Sequence, residues 1–311
     1  MNLKQLEYFV SVADLGSFSK AARALNIAQP ALSRQVRALE TELRETLLLR
    51  NGRGVALTEA GQRLLDHGNR ILQAVAQVRV DMGATRGEPA GRIAIALPPS
   101  LSRQLTLPLI DIFQRELPKA RLAVVEGLSA HIAEWITTGR VDLGLVYSPQ
   151  PTPALEVTPI LEEPLCLVMP AGRPRAARAK ALPPLPLREL PAYALVLPER
   201  AHVFRRLLEA QATLAGVKLN IAWEVSSIPS IVDLVCAGYG HAVLTASAAA
   251  ASGRADELAV RPIGAPRLTS VLCLAVSASK RLTPLGRETA ERLTALAKSL
   301  LGAPAKRRAV R

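Results

Sequence analysis

Apolar positions along this chain recur first at helical spacing and then at strand spacing, and the change falls near residue 91. Leu32, Val36, Leu39 and Leu43 stand four, three and four residues apart, one stripe of a helix. The opposite face carries Ser33, Arg34 and Arg37. Gln29 and Pro30 open this helix, where the missing proline N–H has no partner to lose. Upstream, residues 19–25 predict a short helix entered through a serine cap, with Ala21, Ala22 and Leu25 inward and Asn26-Ile27-Ala28 as the turn between the two. Residues 3–14 predict a further helix with Leu6, Phe9, Val10 and Ala13 inward. Thr58 is placed to cap a long helix reaching about residue 82, whose Leu64, Ile71, Val75, Val78 and Met82 form a stripe once Gly68 counts as a seam position. Residues 84–91 read as a linker by composition.

Beyond the linker, strands are expected at 92–97, 121–126 and 141–147, with helices at 101–117 and 131–138. A second series comes next, with strands near 165–169, 194–197, 219–225 and 242–245 and helices near 202–215 and 228–237. A last strand at 270–276 and helix at 284–301 close the chain. Such alternation predicts right-handed βαβ units and a parallel sheet. Residues 173–186 read as a basic, proline-rich loop and 303–311 as a basic tail.

Two short helices, a tight turn and a polar start to the second helix make a helix-turn-helix, whose second helix lies in the DNA major groove. An ordinary helical hairpin with a solvated polar face shares part of this pattern. The segment after the second helix separates the two readings. Leu47-Leu48-Leu49-Arg50, a turn at Asn51-Gly52, and Arg53-Gly54-Val55-Ala56-Leu57 read as a hairpin with Arg50 and Arg53 at its tip. A basic hairpin beside a recognition helix is a wing, placed to touch phosphates or enter the minor groove.

The stretches LKQLEYFVSVADLGSFSKAARALNIAQPALSRQVRALE and LLLRNGRGVALTEAG resemble the LysR-type transcriptional regulators. The match covers residues 1 to about 70, and it departs at Leu48, where the family commonly has Phe, a change of packing and not of DNA contact. The resemblance implies base or phosphate contacts from Gln29, Pro30, Ser33, Arg34 and Arg53. IAQPALSRQV, GRGV and LVLPE are similar to the nitrogen-assimilation-control branch. It also implies a periplasmic-binding-protein-like regulatory domain of two α/β lobes, with the last strand and helix returned to the first lobe; periodicity alone shows only α/β. The expected organisation is therefore an all-α winged helix-turn-helix domain (residues 1–58) and a linker and dimerisation helix with hinge (59–90). An effector-binding domain comes after it (91–302), its lobe 1 at about 91–163 and 269–302 and its lobe 2 at about 164–268, and then the basic tail.

In α/β sheets ligands bind at the carboxyl ends of strands, where helix N-termini point into the crevice. Three such junctions carry serine: Pro98-Pro99-Ser100, Gly127-Leu128-Ser129 and Ser226-Ser227. Serine before a helix is also the favoured cap. These junctions match positions where the family binds effectors, which makes Ser100, Ser129 and Ser227 candidates for holding a small anion, with Arg200 and His202 adding charge at a fourth junction. The family often has Pro near Thr245, where this chain reads AVLTAS.

The 311 residues suit two or three units, and a hydrophobic share of 49% against 21% charged supports a sizeable core. Aromatic residues make up only 3%, too few for a stacking platform for single strands. The net charge of +13 does not locate the DNA site, because residues 1–58 hold eight Lys or Arg against five Asp or Glu. Cys166, Cys236 and Cys273 show no CxxC and no His at ligand spacing, so no metal, no cofactor and no disulfide frame is expected. No signal peptide or membrane span is apparent, which predicts a cytoplasmic protein. GxSxG, GxGxxG after a strand and HExxH are absent, and His67, His131, His202 and His241 lack motif partners, against an enzyme. The expectation is a regulator that binds double-stranded promoter DNA as a homo-oligomer, dimer or tetramer, because a two-fold dimer reads two half-sites and its long helix needs a partner. An anionic effector would alter DNA bending and contact with RNA polymerase. The alternative is a solute-binding receptor without a DNA-directed role.

Overall fold

The computed structural model describes residues 1–51, 54–83, 89–171 and 183–302, and the chain forms two compact units, residues 1–88 and, in the main, Pro89 onward. In the first unit α1 (Leu3–Leu15) starts at a capping box, in which Asn2 and Gln5 each accept the other's backbone N–H, and ends at Gly16 in the left-handed region. Ser17 caps α2 (Phe18–Ala24) by accepting from Lys20 N. The turn then leads to α3 (Gln29–Leu43), with Pro30 in its first turn. Phe9, Phe18, Ala21, Leu32, Val36 and Leu39 close one core. Leu43, the fourth residue of the predicted stripe, lies at the helix end and is 37% exposed.

β1 (Leu48–Asn51) and β2 (Gly54–Leu57) pair antiparallel from Leu48 opposite Leu57 to Asn51 opposite Gly54. Asn51 therefore sits in the strand and not in the turn. Three ties fix this hairpin. Glu40 Oε1 on α3 accepts from Leu47 N and Leu48 N at 2.9 and 3.1 Å, Gly16 O accepts from Val55 N at 3.0 Å, and Thr58 donates its hydroxyl to Thr46 O. Thr58 also accepts from Gly61 N and so caps α4 (Glu59–Gly83).

The predicted stripe of α4 is split between two jobs. Leu64, Leu65 and Leu72 pack on the core of this unit, and Gly68 faces α1 so closely that a Cβ would stand 3.1 Å from Leu6 and Val10. Gly68 is thus a helix-crossing contact and not a seam toward a second copy. Ile71 and Val78 stay 37% and 57% exposed, with half-buried Val75 between them.

The second unit is a two-lobed α/β domain. Lobe 1 sets β3 (Gly91–Leu97), β4 (Ala120–Glu126) and β5 (Leu143–Tyr147) parallel, in the order β4-β3-β5, with α5 (Pro99–Glu116) on one face and α6 (Ser129–Thr137) on the other. The sheet continues through β6 (Leu155–Pro170), which passes into lobe 2. There lie β7 (Leu185–Pro186), a 3-10 turn (Leu187–Ala192), β8 (Leu195–Leu197), α7 (Val203–Leu214), β9 (Ile221–Glu224), α8 (Ile228–Cys236), β10 (Ala242–Thr245), α9 (Ala246–Ala251) and β11 (Leu258–Gly264). β12 (Thr269–Ser277) returns to lobe 1 between β5 and β6, and α10 (Pro284–Leu301) packs beside α5 and β3.

The purely parallel sheet expected from the alternation is corrected here, since β12 runs antiparallel to both β5 and β6. β6 also begins ten residues before the expected strand at 165. Its first half, from Leu155 to Pro164, pairs with β12, and its second half pairs with β10 and β11. Glutamates and prolines on its exposed half hid that segment. β11 was not expected, and Leu185–Pro186, counted within the proline-rich loop, forms a short strand beside β11. Most of that loop and the basic tail lie outside the described residues.

Candidate functional site

The polar face of α3 is a product of its own periodicity. With Leu32, Val36 and Leu39 buried, Gln29, Pro30, Arg34 and Arg37 stand exposed on the other side and Ser33 is half-buried at the edge. Glu40, one turn beyond Arg37, points its carboxylate at the backbone of the hairpin and so locks the wing to the helix that it accompanies. Arg50 lies on β1 next to the hairpin end, its side chain outside the described atoms, and Arg53 lies outside the described residues.

In the second unit, four helix starts converge on a cavity of about 390 Å³. β3 ends at Leu97 and delivers Pro98, Pro99 and Ser100 at the start of α5, and β4 ends at Glu126 and delivers Leu128 and Ser129 at the start of α6. β8 leads to His202 and α7, and β9 leads to Ser226, Ser227 and α8. Tyr147, the last residue of β5, completes the wall together with Phe204. Three of the predicted serines, Ser100, Ser129 and Ser227, are thus brought to one space from three strand ends.

The serines are not equivalent. Ser129 Oγ accepts the backbone N–H of Tyr147 at 3.0 Å, which leaves its own O–H to donate. Ser227 holds the cap position of α8 without a side-chain cap hydrogen bond, so its hydroxyl is not spent on the helix. Helix starts carry unpaired N–H groups and the positive end of the helix dipole, and both favour an anion.

The charged part of the site differs from the expectation. Arg200 is exposed and does not line the cavity; Arg206, one turn after His202, does. Arg206 Nη1 donates to Ala201 O at 2.8 Å. His202 adds no charge: burial, and then the guanidinium of Arg206, lower its pKa to about 4. Its Nδ1 accepts from Phe204 N at 3.2 Å, so the ring serves as the cap of α7 and carries its proton on Nε2. Phe204 stacks edge-on against both His202 and Tyr147, at 4.9 and 5.2 Å between ring centres. The sequence reading missed Tyr147, Phe204 and Arg206. The carboxyl-end rule reaches Tyr147 and the helical repeat reaches Arg206, but nothing local marks Phe204.

Among the described residues no cluster of His, Cys, Asp or Glu is arranged to hold a metal ion, and no helix is long and apolar enough to cross a membrane.

Comparison with known proteins gives the same division of the chain. Residues 3–62 match the model of the bacterial regulatory helix-turn-helix proteins of the lysR family, and residues 86–298 match the LysR substrate binding domain. The nitrogen assimilation regulatory protein nac of Klebsiella aerogenes is 31% identical over 297 residues, 95% of each chain, and its counterpart from Escherichia coli is 29% identical over 300 residues, 96% of each. These two support the branch that IAQPALSRQV, GRGV and LVLPE pointed to. Among solved structures, a full-length OxyR variant from Pseudomonas aeruginosa superposes with a TM-score of 0.73 at 25% identity, covering 96% of this chain and 95% of that one. Full-length CbnR in complex with its target DNA superposes with a TM-score of 0.68 at 26% identity, covering 95% and 99%. The chain belongs to the LysR family of DNA-binding transcriptional regulators, with an N-terminal helix-turn-helix domain and a C-terminal substrate-binding domain.

Proposed function

We propose that this regulator reads promoter DNA through the exposed face of α3 and senses a small organic anion in the cavity of its second unit. Gln29, Pro30, Ser33, Arg34 and Arg37 are assigned to base edges and adjoining phosphates, and Arg50 and Arg53 to the sugar-phosphate backbone beside them. Support comes from the exposure of that face and from the Glu40 tie that keeps the wing next to it. The CbnR relative was solved on its target DNA.

The ligand reading rests on one observation, the convergence of four helix starts, three of them carrying serine, on one cavity. At about 390 Å³ the space suits a small molecule. Ser100, Ser129, Ser227 and Arg206 would take the anionic end. Tyr147, Phe204, Leu128 and Ile228 would take an apolar body. Ile71, Val75 and Val78 of α4 form an apolar strip suited to the same strip of a second copy, which would set two recognition helices on the two half-sites of an inverted repeat. Occupancy of the cavity would shift the population among arrangements of the oligomer, and with it the bend of the DNA and the contact to RNA polymerase. Such a role places the protein in the cytoplasm, and its action is regulation and not catalysis.

The test is a gel shift on the chain's own upstream region. Arg34→Ala is expected to cost roughly ten- to a hundred-fold in affinity for the preferred duplex and to erase its preference over other duplexes. Arg53→Ala is expected to weaken all duplexes alike and to lower the salt slope by about one. Uniform weakening by Arg34→Ala would remove it from the base-reading set.

A further inference from the structure

Tyr147 is tied at both ends. Its backbone N–H is held by Ser129 of the cavity wall, and its side-chain O–H donates to Glu163 Oε2 at 2.6 Å. Glu163 is 5% exposed and lies on β6 just before the strand changes partners. It stands opposite Ser270 of β12, while Leu165, two residues on, pairs with Thr245 of β10. The crossing from lobe 1 to lobe 2 therefore occurs within two residues of this carboxylate.

Further polar groups gather at the same seam. The Tyr147 hydroxyl also reaches Thr245 and Ser247 of lobe 2, whose own hydroxyls are 3.0 Å apart. Gln104 of α5 donates to Ser100 O and to Ser247 O, both at 3.2 Å, and so joins a cavity residue of lobe 1 to α9 of lobe 2. Ser148 and Ser270 face one another at 3.2 Å. Thr245 and Ser270 are fully buried. Apolar packing would hold such a seam at less desolvation cost. Directional hydrogen bonds instead favour discrete arrangements, since a small rotation breaks them outright.

We propose that the Tyr147–Glu163 pair is the positioning element that sets the angle between the two lobes and carries occupancy of the cavity to the crossover. The proposal rests on the reading of the cavity as the ligand site. A ligand that draws on the Ser129 hydroxyl and lies against the Tyr147 and Phe204 rings acts on both ties of Tyr147 at once. The shift is delivered at Glu163, where β6 passes from pairing with β12 to pairing with β10 and β11. Burial and the neighbouring carboxylate push the phenol well above its ordinary pKa, so the O–H remains a donor throughout the working range.

The experiment measures interlobe distance in the full chain by pulsed electron spin resonance. Spin labels go on Gln114→Cys of α5 and Ala210→Cys of α7, both exposed, in a Cys236→Ser background and diluted with unlabelled chain. The wild-type sequence is expected to give one narrow distance peak, and Tyr147→Phe, which keeps the ring, to lose it to a broad or split distribution. Glu163→Gln retains an acceptor and should keep the narrow peak, whereas Glu163→Leu should behave as Tyr147→Phe. A Tyr147→Phe distribution equal to wild type overturns the proposal, as does a Glu163→Gln distribution as broad as that of Glu163→Leu. Phenylacetate serves as an aryl monocarboxylate probe, with isothermal titration calorimetry reporting its binding. It should move the wild-type peak and leave that of Glu163→Leu, a residue outside the cavity lining, unmoved although still bound. Absence of binding to wild type would count against the aryl-acid reading of the cavity alone, since the probe-free comparison still decides the seam.

Discussion

At His202 a side chain whose ordinary pKa lies near 6.5 has become a neutral helix cap, with its folded value lowered to about 4 by burial and by Arg206. Between those two values the unfolded chain binds a proton that the folded chain refuses. Stability from this group is therefore complete above the unfolded value and declines as pH falls toward the folded one, by at most about 3 kcal/mol. Urea denaturation of the full chain should show this loss between neutral and weakly acidic pH. His202→Asn, which can still cap α7 but does not titrate, should flatten that part of the profile. An unchanged profile in the variant would assign the loss to other groups. The same residue shows how a local reading goes astray. Histidine at a strand-to-helix junction beside a proposed anion site invites a positive charge, and only the packing around it reveals a neutral ring.

The wing is where elements constrain one another. Gly54 has φ +146°, a region that L side chains rarely adopt, and a Cβ there would meet Gly16 O at 2.7 Å. Gly16 in turn holds the left-handed end of α1 and accepts from Val55 N. The join between α1 and α2 is thus the support of the hairpin. Gly54→Ala is expected to destabilise the first unit by about 1–3 kcal/mol and to weaken DNA binding beyond that of a surface change. Thermal melting followed by circular dichroism and the gel shift together check this; a wild-type melting point with wild-type affinity would show that the hairpin tolerates the shift. Gly16 holds the left-handed cap position of α1, and Gly54 opens β2 opposite Asn51. Their meeting, across 38 residues of chain, is not written in either local segment.

For the molecule as a whole, the proposed assembly would use the apolar surface that α4 leaves uncovered. Its apolar residues divide between those that complete the core of the first unit and the strip of Ile71, Val75 and Val78. Ile71→Asp with Val78→Asp is expected to shift the protein to monomer in sedimentation equilibrium while the helix content stays unchanged. DNA affinity should fall steeply at the same time, because one half-site contact remains where two acted together. Oligomers that survive both substitutions would place the main interface elsewhere. The net charge of +13 belongs to this scale too, aiding long-range attraction to DNA without choosing the residues that read it.

Periodicity, caps and turn residues along the chain determine α1 to α4, the hairpin, the parallel core strands β3, β4 and β5, and the helices beneath the cavity. Their hydrogen bonds and burial faces are settled within a few residues, so the signal is local. Ser100, Ser129 and Ser227 could be named in advance for that reason, since each stands where a strand hands over to a helix. The continuous sixteen-residue β6, the antiparallel β12, the neutral state of His202, the place of Phe204 in the cavity wall and the burial of Glu163 under Tyr147 came only with tertiary structure. Each depends on groups brought together from distant parts of the chain or packed around a side chain, and burial there decides partner, charge and pKa in ways that no short window of sequence contains.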